Sequence, residues 1–599
     1  MRNEYPRPDF VREQWQTLNG SWDFGEGFFV EPGVKIEVPF VPQSERSKVN
    51  RILTSDQIVY ERVFEVPESW KGSRILLHFG AVDYECSVWL NGNCVGSHEG
   101  GQTPFTFDIT ENLKGGKELL RVCVKDFLKD ECVPRGKQFW QPKGEFIWYT
   151  QSSGIWQSVW LEPVAPSHIE WMRFKPDIDD GTVEITYQVS DYTPQNYDLI
   201  LDISFDGTEV YHGRVSGEGK RGRLIADVFD NRAMRGSFHF TGWYWSPEQP
   251  SLFDVKAELV AGGETTDRIS SYFGMRKIEV REGKVYLNNS PYYQKLVLDQ
   301  GYWKESLMTA PSEEAFIDDI RKMKAMGFNG CRKHEKVEDP VFLYWADRLG
   351  FLVWESMSSF WSFTPQYAAA FSAEWSRVIL RDYSHPCIVV WNMLNESWGV
   401  PGLYDNRMRQ HYARSLYHLA RGLDDTRLVI ANDGWELTEN DICAFHTYKH
   451  GDKAHPQQQE KFRQGLQSLE GLKELVEKPL FAKGFSYGGQ PVMLTEIGGM
   501  SLGSSRDMNG DEDSWGYTDA ANEAEYLEDY EKLIDSIYAS DLICGFCYTQ
   551  LSDIEQEKNG LLDEGHQFKI DAGKIKLVND KKGCPSAFFV SSKNSLSDC

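Results

Sequence analysis

The 599-residue chain contains no run of about 18 apolar residues, the length a membrane-spanning helix needs, so none is expected. Its first ten residues, Met1–Phe10 (MRNEYPRPDF), lack the apolar stretch of a secretory leader. Positive charge is scarce: 64 Lys and Arg stand against 90 Asp and Glu, a net charge of −26. Phosphate binding needs a basic face, so neither nucleic acid nor an anionic membrane is an expected partner. There is no internal repeat. The eleven cysteines are odd in number and follow no disulfide spacing. Cys544 and Cys547 form a C-x-x-C, but they lie in the apolar run Leu542–Tyr548 and read as two buried, inert thiols. Reduced cysteines and no leader together point to the cytoplasm.

Aromatic residues, by contrast, are plentiful: 20 Trp, 27 Tyr and 34 Phe. Sandwich cores and sugar sites both use such rings. A single core rarely exceeds about 300 residues, so two to four domains are expected. Residues 1–164 read as a β-sandwich. Short strand patterns such as Tyr60–Val66, Arg74–Phe79, Cys86–Leu90 and Leu119–Val124 alternate with turns, and Asn91-Gly92 is a hairpin signal. Residues 165–276 continue with alternating segments, Val183–Val189, Leu199–Phe205 and Leu252–Leu259, over a length that suits an immunoglobulin-like sandwich. From Lys277 on, apolar runs alternate with amphipathic stretches. The runs Phe351–Trp354, Cys387–Leu394, Leu428–Ala431, Ile442–His446, Val492–Thr495 and Leu542–Tyr548 are separated by helical stretches such as Asp339–Leu349, Leu403–Gly422, Gln457–Val476 and Ala521–Tyr538. About eight such units over residues 277–599 predict a (β/α)8 TIM barrel. The tail after Asp571 is polar and is expected to fray.

Barrel enzymes carry their chemistry at the C-terminal ends of the strands. The fourth run ends in Asn395-Glu396 and the seventh in Thr495-Glu496. Strands 4 and 7 face each other across the mouth, which can bring two carboxylates to about 5–5.5 Å, the spacing of a retaining glycosidase. One carboxylate attacks the anomeric carbon while the other gives a proton to the leaving oxygen and later activates water. The acid needs an environment that keeps it protonated, and Trp398 can supply an apolar wall beside Glu396. No organic cofactor is required.

The peptides Trp391–Gly399 (WNMLNESWG) and Pro491–Met500 (PVMLTEIGGM) resemble the two signature peptides of glycoside hydrolase family 2, the β-galactosidase, β-glucuronidase and β-mannosidase family. Ser153–Glu162, Tyr244–Val255, Phe273–Arg276 and Phe328–His334 resemble further family segments in the same order. The resemblance implies Glu396 as acid/base, Glu496 as nucleophile and Asn395 as partner of the sugar 2-hydroxyl. It also implies Arg332 as the cation beside the nucleophile and Tyr448 as its hydrogen-bond donor. His334, His446, Asp299, Trp354 and Trp435 lie at expected strand ends and are candidate subsite residues. Tyr548, with Thr549 and Gln550, is a candidate floor of the sugar site. The aromatic loop Pro134–Gln151 is expected to reach from the first domain to the barrel mouth.

Departures from the family bear on the substrate. The metal-dependent β-galactosidases carry a Glu-x-His pair after the third strand; here the stretch reads Trp354-Glu355-Ser356-Met357, so no metal is expected. β-Glucuronidases carry an Asn-x-Lys after the eighth strand; here Asn559-Gly560-Leu561 puts Leu561 in place of the lysine. A neutral glycoside or oligosaccharide is therefore the expected substrate, galactoside first. Arabinosides, galactofuranosides and glucuronides are the alternatives, as is carbohydrate binding without catalysis. Family resemblance also allows a homo-oligomer. Asp507–Asp513 has half of a calcium loop, but Glu512 stands where the EF-hand pattern wants glycine, so an acidic loop is expected instead.

Overall fold

The structure, a computed structural model, describes residues 2–230, 241–503 and 514–582. The acidic stretch Asp507–Asp513 lies outside the described residues. Among those described, no helix is long and apolar enough to cross a membrane.

A two-stranded sheet, Val82–Asp83 with Gly154–Ile155, and two large antiparallel sheets form the first domain. One orders Gln16–Thr17, Val159–Val164, Arg74–Phe79 and Phe105–Asp108; the other has six strands around Gln57–Glu65 and Lys117–Lys125. Alternation decides what is buried. On Lys117–Lys125, Leu120, Val122 and Val124 face the core while Leu119 faces solvent. Asn91 and Gly92, both at positive φ (54° and 88°), make the hairpin turn between Glu85–Leu90 and Asn93–Glu99. The second domain packs a three-stranded sheet, Ile169–Asp177, Thr182–Val189 and Arg221–Asp227, on a four-stranded one built around Asn196–Phe205 and Phe253–Ala261.

The third domain is an eight-stranded parallel barrel: β1 Gln294–Asp299, β2 Gly330–Lys333, β3 Leu352–Ser356, β4 Ile388–Asn392, β5 Leu428–Ile430, β6 Cys443–His446, β7 Val492–Gly498 and β8 Ile543–Thr549. Its helices are α1 Glu313–Ala325, α2 Pro340–Leu349, α3 Pro365–Asp382, α4 Arg407–Leu423, α5 Pro456–Gly465, α6 Leu469–Leu475, α7 Glu523–Tyr538 and α8 Ala572–Asn579. Local chemistry sets their ends. Asp339 caps α2 by accepting from Val341 N, Pro340 opens its first turn, and Gly350 (φ 69°) closes it.

Three details depart from the sequence reading. The Gln457–Val476 stretch is two helices, α5 and α6, rather than one. The tail does not fray at Asp571: α8 follows, with Ile575 and Val578 buried and Asn579 bonded to the Tyr530 hydroxyl and the Met326 carbonyl. Its apolar residues are masked in sequence by the lysines between them. Finally, no helix links β5 to β6, and the two are not directly hydrogen-bonded. Instead the link folds back on β5: Ile430 bridges Asn440, Ala431 N donates to Asn440 Oδ1 (2.8 Å), and Asn440 Nδ2 donates to Asn432 O (2.9 Å). Side-chain bonds thus satisfy the strand edge that a closed ladder would have covered.

Candidate active site

Neighbouring residues on a strand face opposite sides, and β2 shows the consequence. Lys333 points outward, 3.9 Å from the Phe342 ring centroid on α2. Arg332 points inward and is fully buried. Its Nη1 donates to Glu496 Oε1 (2.9 Å), its Nη2 to Asn395 Oδ1 (2.6 Å), and its Nε lies 2.9 Å from Asp433 Oδ2. Arg332 thus fixes the Asn395 amide by its oxygen, which leaves the NH2 end as its donor.

Glu496 sits on β7. Its Oε2 accepts from the Tyr448 hydroxyl at 2.8 Å. Burial first, then Glu496, push the Tyr448 phenol well above its ordinary value, so it remains a donor. The Tyr448 ring lies parallel to Tyr517, with centroids 3.5 Å apart.

Glu396 follows β4 at a strained turn. Glu396 and Ser397 have φ of 52° and 62°, a region few non-glycine residues occupy. The surroundings hold them there: Glu396 N donates to Asp433 O (2.9 Å), Ser397 N to Asn432 Oδ1 (2.9 Å) and Ser397 Oγ to Glu436 Oε2 (2.5 Å). The turn brings Glu396 Oε1 to 2.8 Å from Nδ1 of His446 on β6. That imidazole also lies 3.6 Å from Glu496 Oε2 and 3.3 Å from Asp433 Oδ1. Burial pulls His446 down, but Glu496 and Asp433 outweigh it and push it up to about 10, which makes it an imidazolium at neutral pH. Gly434 (φ 96°) permits this approach, because a Cβ there would stand 2.8 Å from the His446 Nδ1. Around one centre, an oxygen of Glu396, an oxygen of Glu496 and a nitrogen of His446 all lie within 4.8 Å of one another. These are also ligand types for a cation, but the imidazolium already supplies positive charge there.

Three other expected residues lie close by. His334 accepts from Arg332 Nη1 at 3.1 Å; burial, then Arg332, hold it well below its ordinary value, so it is neutral. Trp398 meets His334 edge-on, 6.2 Å between centroids. Trp435 donates from Nε1 to the Glu396 carbonyl at 3.2 Å.

Three others face elsewhere. Asp299 is in register with Lys333, on the outer side of the barrel wall, and its carboxylate is held by Lys333 Nζ (2.5 Å) and Gly301 N (2.8 Å). Trp354 is wholly buried and donates to Gln294 Oε1 at 2.7 Å, filling the barrel interior. Tyr548 points out toward α7, its hydroxyl 2.6 Å from that of Tyr526. Its neighbour Thr549 does turn to the site and donates its hydroxyl proton to the Tyr448 oxygen at 3.1 Å, since the one Tyr448 proton goes to Glu496.

The structure adds residues not singled out from sequence. Asp433, at the end of β5, binds Arg332, His446 and Thr495 Oγ1 (2.5 Å); burial raises it, but Arg332 and His446 hold it well below the carboxylate range. In sequence it stands two residues before the expected Trp435, in Asn432-Asp433-Gly434-Trp435. The loop Pro134–Gln151 does reach the mouth. Arg135 N and Gly136 N donate to Ser359 O, the Tyr149 hydroxyl donates to Glu557 Oε2 (2.6 Å), and Trp148 packs 5.0 Å from Trp398.

Residues 35–162, 167–276 and 278–502 match, respectively, "Glycosyl hydrolases family 2, sugar binding domain", "Glycosyl hydrolases family 2" and "Glycosyl hydrolases family 2, TIM barrel domain". A beta-galactosidase of Thermoanaerobacter pseudethanolicus is 29% identical over 353 residues, 56% of this chain and 44% of that protein. A putative beta-glucuronidase of Formosa agariphila is 25% identical over 372 residues, 59% of this chain and 41% of that protein. The chain thus spans less than half the length of these curated relatives. Among solved structures, a beta-D-glucuronidase of Dictyoglomus thermophilum superposes with a TM-score of 0.75 at 20% identity, covering 96% of this chain and 98% of that one. A beta-galacturonidase of Eisenbergiella tayi does so at 0.73 and 19%, covering 96% and 98%. Three family segments in unbroken order, on a fold shared end to end with these structures, show that the chain belongs to glycosyl hydrolases family 2.

Proposed function

We propose that the chain is a retaining exo-glycosidase for a neutral glycoside, galactosides first, with arabinosides and galactofuranosides next. The observation that carries this reading is the convergence of Glu396 from β4 and Glu496 from β7, with oxygens within 4.8 Å of each other. Glu496 is held between Arg332 and Tyr448, two donors that keep a carboxylate in place as a nucleophile. It attacks the anomeric carbon while Glu396 protonates the departing oxygen. Glu396 then takes a proton from water, which releases the sugar from Glu496 with the original configuration. The charges fit this division. Arg332 and His446 face three carboxyl groups, Glu396, Glu496 and Asp433, one more than the two cations balance, which leaves room for the proton that an acid must carry.

Substrate class rests on the eighth-strand region. Leu561 is fully buried, and Asn559 is held by Gln550 and Glu557, so that segment offers no cation to a uronic acid. The relatives carry both names, beta-galactosidase and putative beta-glucuronidase, and Leu561 favours the first.

A panel of nitrophenyl glycosides tests the proposal. The wild type is expected to turn over galactosides or arabinosides above glucuronides, and Glu496→Ala to lose roughly 10³-fold or more in kcat. Equally poor hydrolysis by both proteins would remove the enzyme reading. Strong glucuronide preference would remove the neutral-sugar reading.

A further inference from the structure

Lys137 has no role in the mechanism above, yet it stands at the barrel mouth. It comes from the first domain, on the loop that docks there, and it is only 6% exposed. Its backbone is fixed: Tyr149 N donates to Lys137 O at 2.8 Å, and the preceding Gly136 (φ 57°) lies so close to β2's exit that a Cβ would be 2.3 Å from the Glu335 carbonyl. Its ammonium lies over two rings, 5.2 Å from the Trp398 centroid and 5.9 Å from that of Tyr149. Trp398 borders His334, whose Nδ1 is 3.9 Å from Glu496 Oε1. Among the described residues, the ammonium makes no ion pair.

Two aromatic faces hold the ammonium in place but do not accept its N–H bonds as an oxygen would. Such a group is kept where a ligand oxygen completes it. The charge around it says which oxygen. Glu335 and Glu557 stand close by; burial raises both carboxyls, and Lys137 offsets only part of that rise. With Glu396 and Glu496 below, the region already holds four carboxyl groups. A uronic acid would bring a fifth carboxyl into this space, whereas a hydroxyl gives the ammonium an acceptor without adding charge.

We infer that Lys137 reaches from the first domain to donate to one hydroxyl of the bound glycone and so helps determine which neutral sugar is accepted. The inference rests on the glycosidase reading. Its test uses the full-length protein, the glycoside the wild type turns over best, and the monodeoxy analogues of that glycoside. Lys137→Met is expected to lower kcat/KM about 10- to 100-fold, the scale of one charged hydrogen bond, with little change in Tm. One deoxy analogue is expected to be poor with the wild type yet no worse than its parent with Lys137→Met, because the lost contact is the same one. A uniform loss across parent and analogues, or no loss, would overturn the inference while leaving the glycosidase reading intact. Glucuronide turnover that Lys137→Met abolishes would replace the hydroxyl by a carboxylate. A wild type inactive on every glycoside would remove both. Lys137→Gln, which keeps a donor without charge, should fall between wild type and Lys137→Met.

Discussion

At the scale of single residues, the site is a charge cluster whose members set one another's protonation. His446 shows this most directly. In the unfolded chain an imidazole titrates near about 6.5; in the fold, carboxylates overcome burial and raise it to about 10. Folding therefore takes up a proton between those two values. The resulting stabilisation is complete below about pH 6.5 and is lost as pH rises through about 10. His446→Gln removes it. In calorimetric melts, the Tm gap between wild type and His446→Gln should be widest near pH 6 and shrink toward pH 10.5. A gap that stays constant would mean that His446 is neutral in the folded protein. The same residues show how far sequence reaches. Glu396 and Glu496 stand out because each follows an apolar run, whereas Arg332 and Tyr448 are expected only through the family resemblance; the structure brings all four side chains together. Asp299, Trp354 and Tyr548 also end strands, but a strand end does not say which side a side chain takes, and one residue's shift reverses it. Lys137 was named only as part of a loop, since the groups it meets lie on barrel segments far along the chain.

At the scale of elements, the β5–β6 seam is the least regular part of the barrel and also the part that carries Asp433 and Gly434. From sequence, Leu428–Ala431 and Ile442–His446 read as two ordinary barrel strands, because nothing in an apolar run reveals whether its neighbour pairs with it. The seam's geometry depends on Asn440, whose side chain makes two buried bonds to the Ala431 amide and the Asn432 carbonyl. Asn432 in turn positions Ser397 beside Glu396. Asn440→Ala leaves both backbone groups unpaired, which should cost about 2–4 kcal/mol in urea unfolding. It should also lower kcat at least about tenfold, because the strained turn at Glu396 loses its support. A stability loss with unchanged kcat would show that the turn is held by the remaining bonds alone.

At the scale of the whole molecule, the two sandwiches act as a frame that fixes one loop over the barrel. Arg12 ties the first two domains by pairing with Glu162 and Asp267. Arg276 anchors the second to the barrel floor through the carbonyls of Pro386, Thr426 and Ile388. The first domain meets the barrel directly where Gln102 N donates to Glu374 Oε1 at 2.7 Å. Held this way, the loop sets Trp148 5.0 Å from both Trp361 and Trp398, so one wall of the mouth is shared between domains. The chemistry is then expected to respond to a residue far from either glutamate in sequence. Trp148→Ala removes the shared ring contacts but leaves the loop's backbone bonds to Ser359. It should raise KM for aryl glycosides about tenfold or more, since stacking area and the exclusion of water both fall, while kcat changes less and Tm shifts by only a few degrees. Steady-state kinetics on the best nitrophenyl glycoside decide the matter: unchanged KM would show that the first domain frames the barrel without forming part of its sugar site.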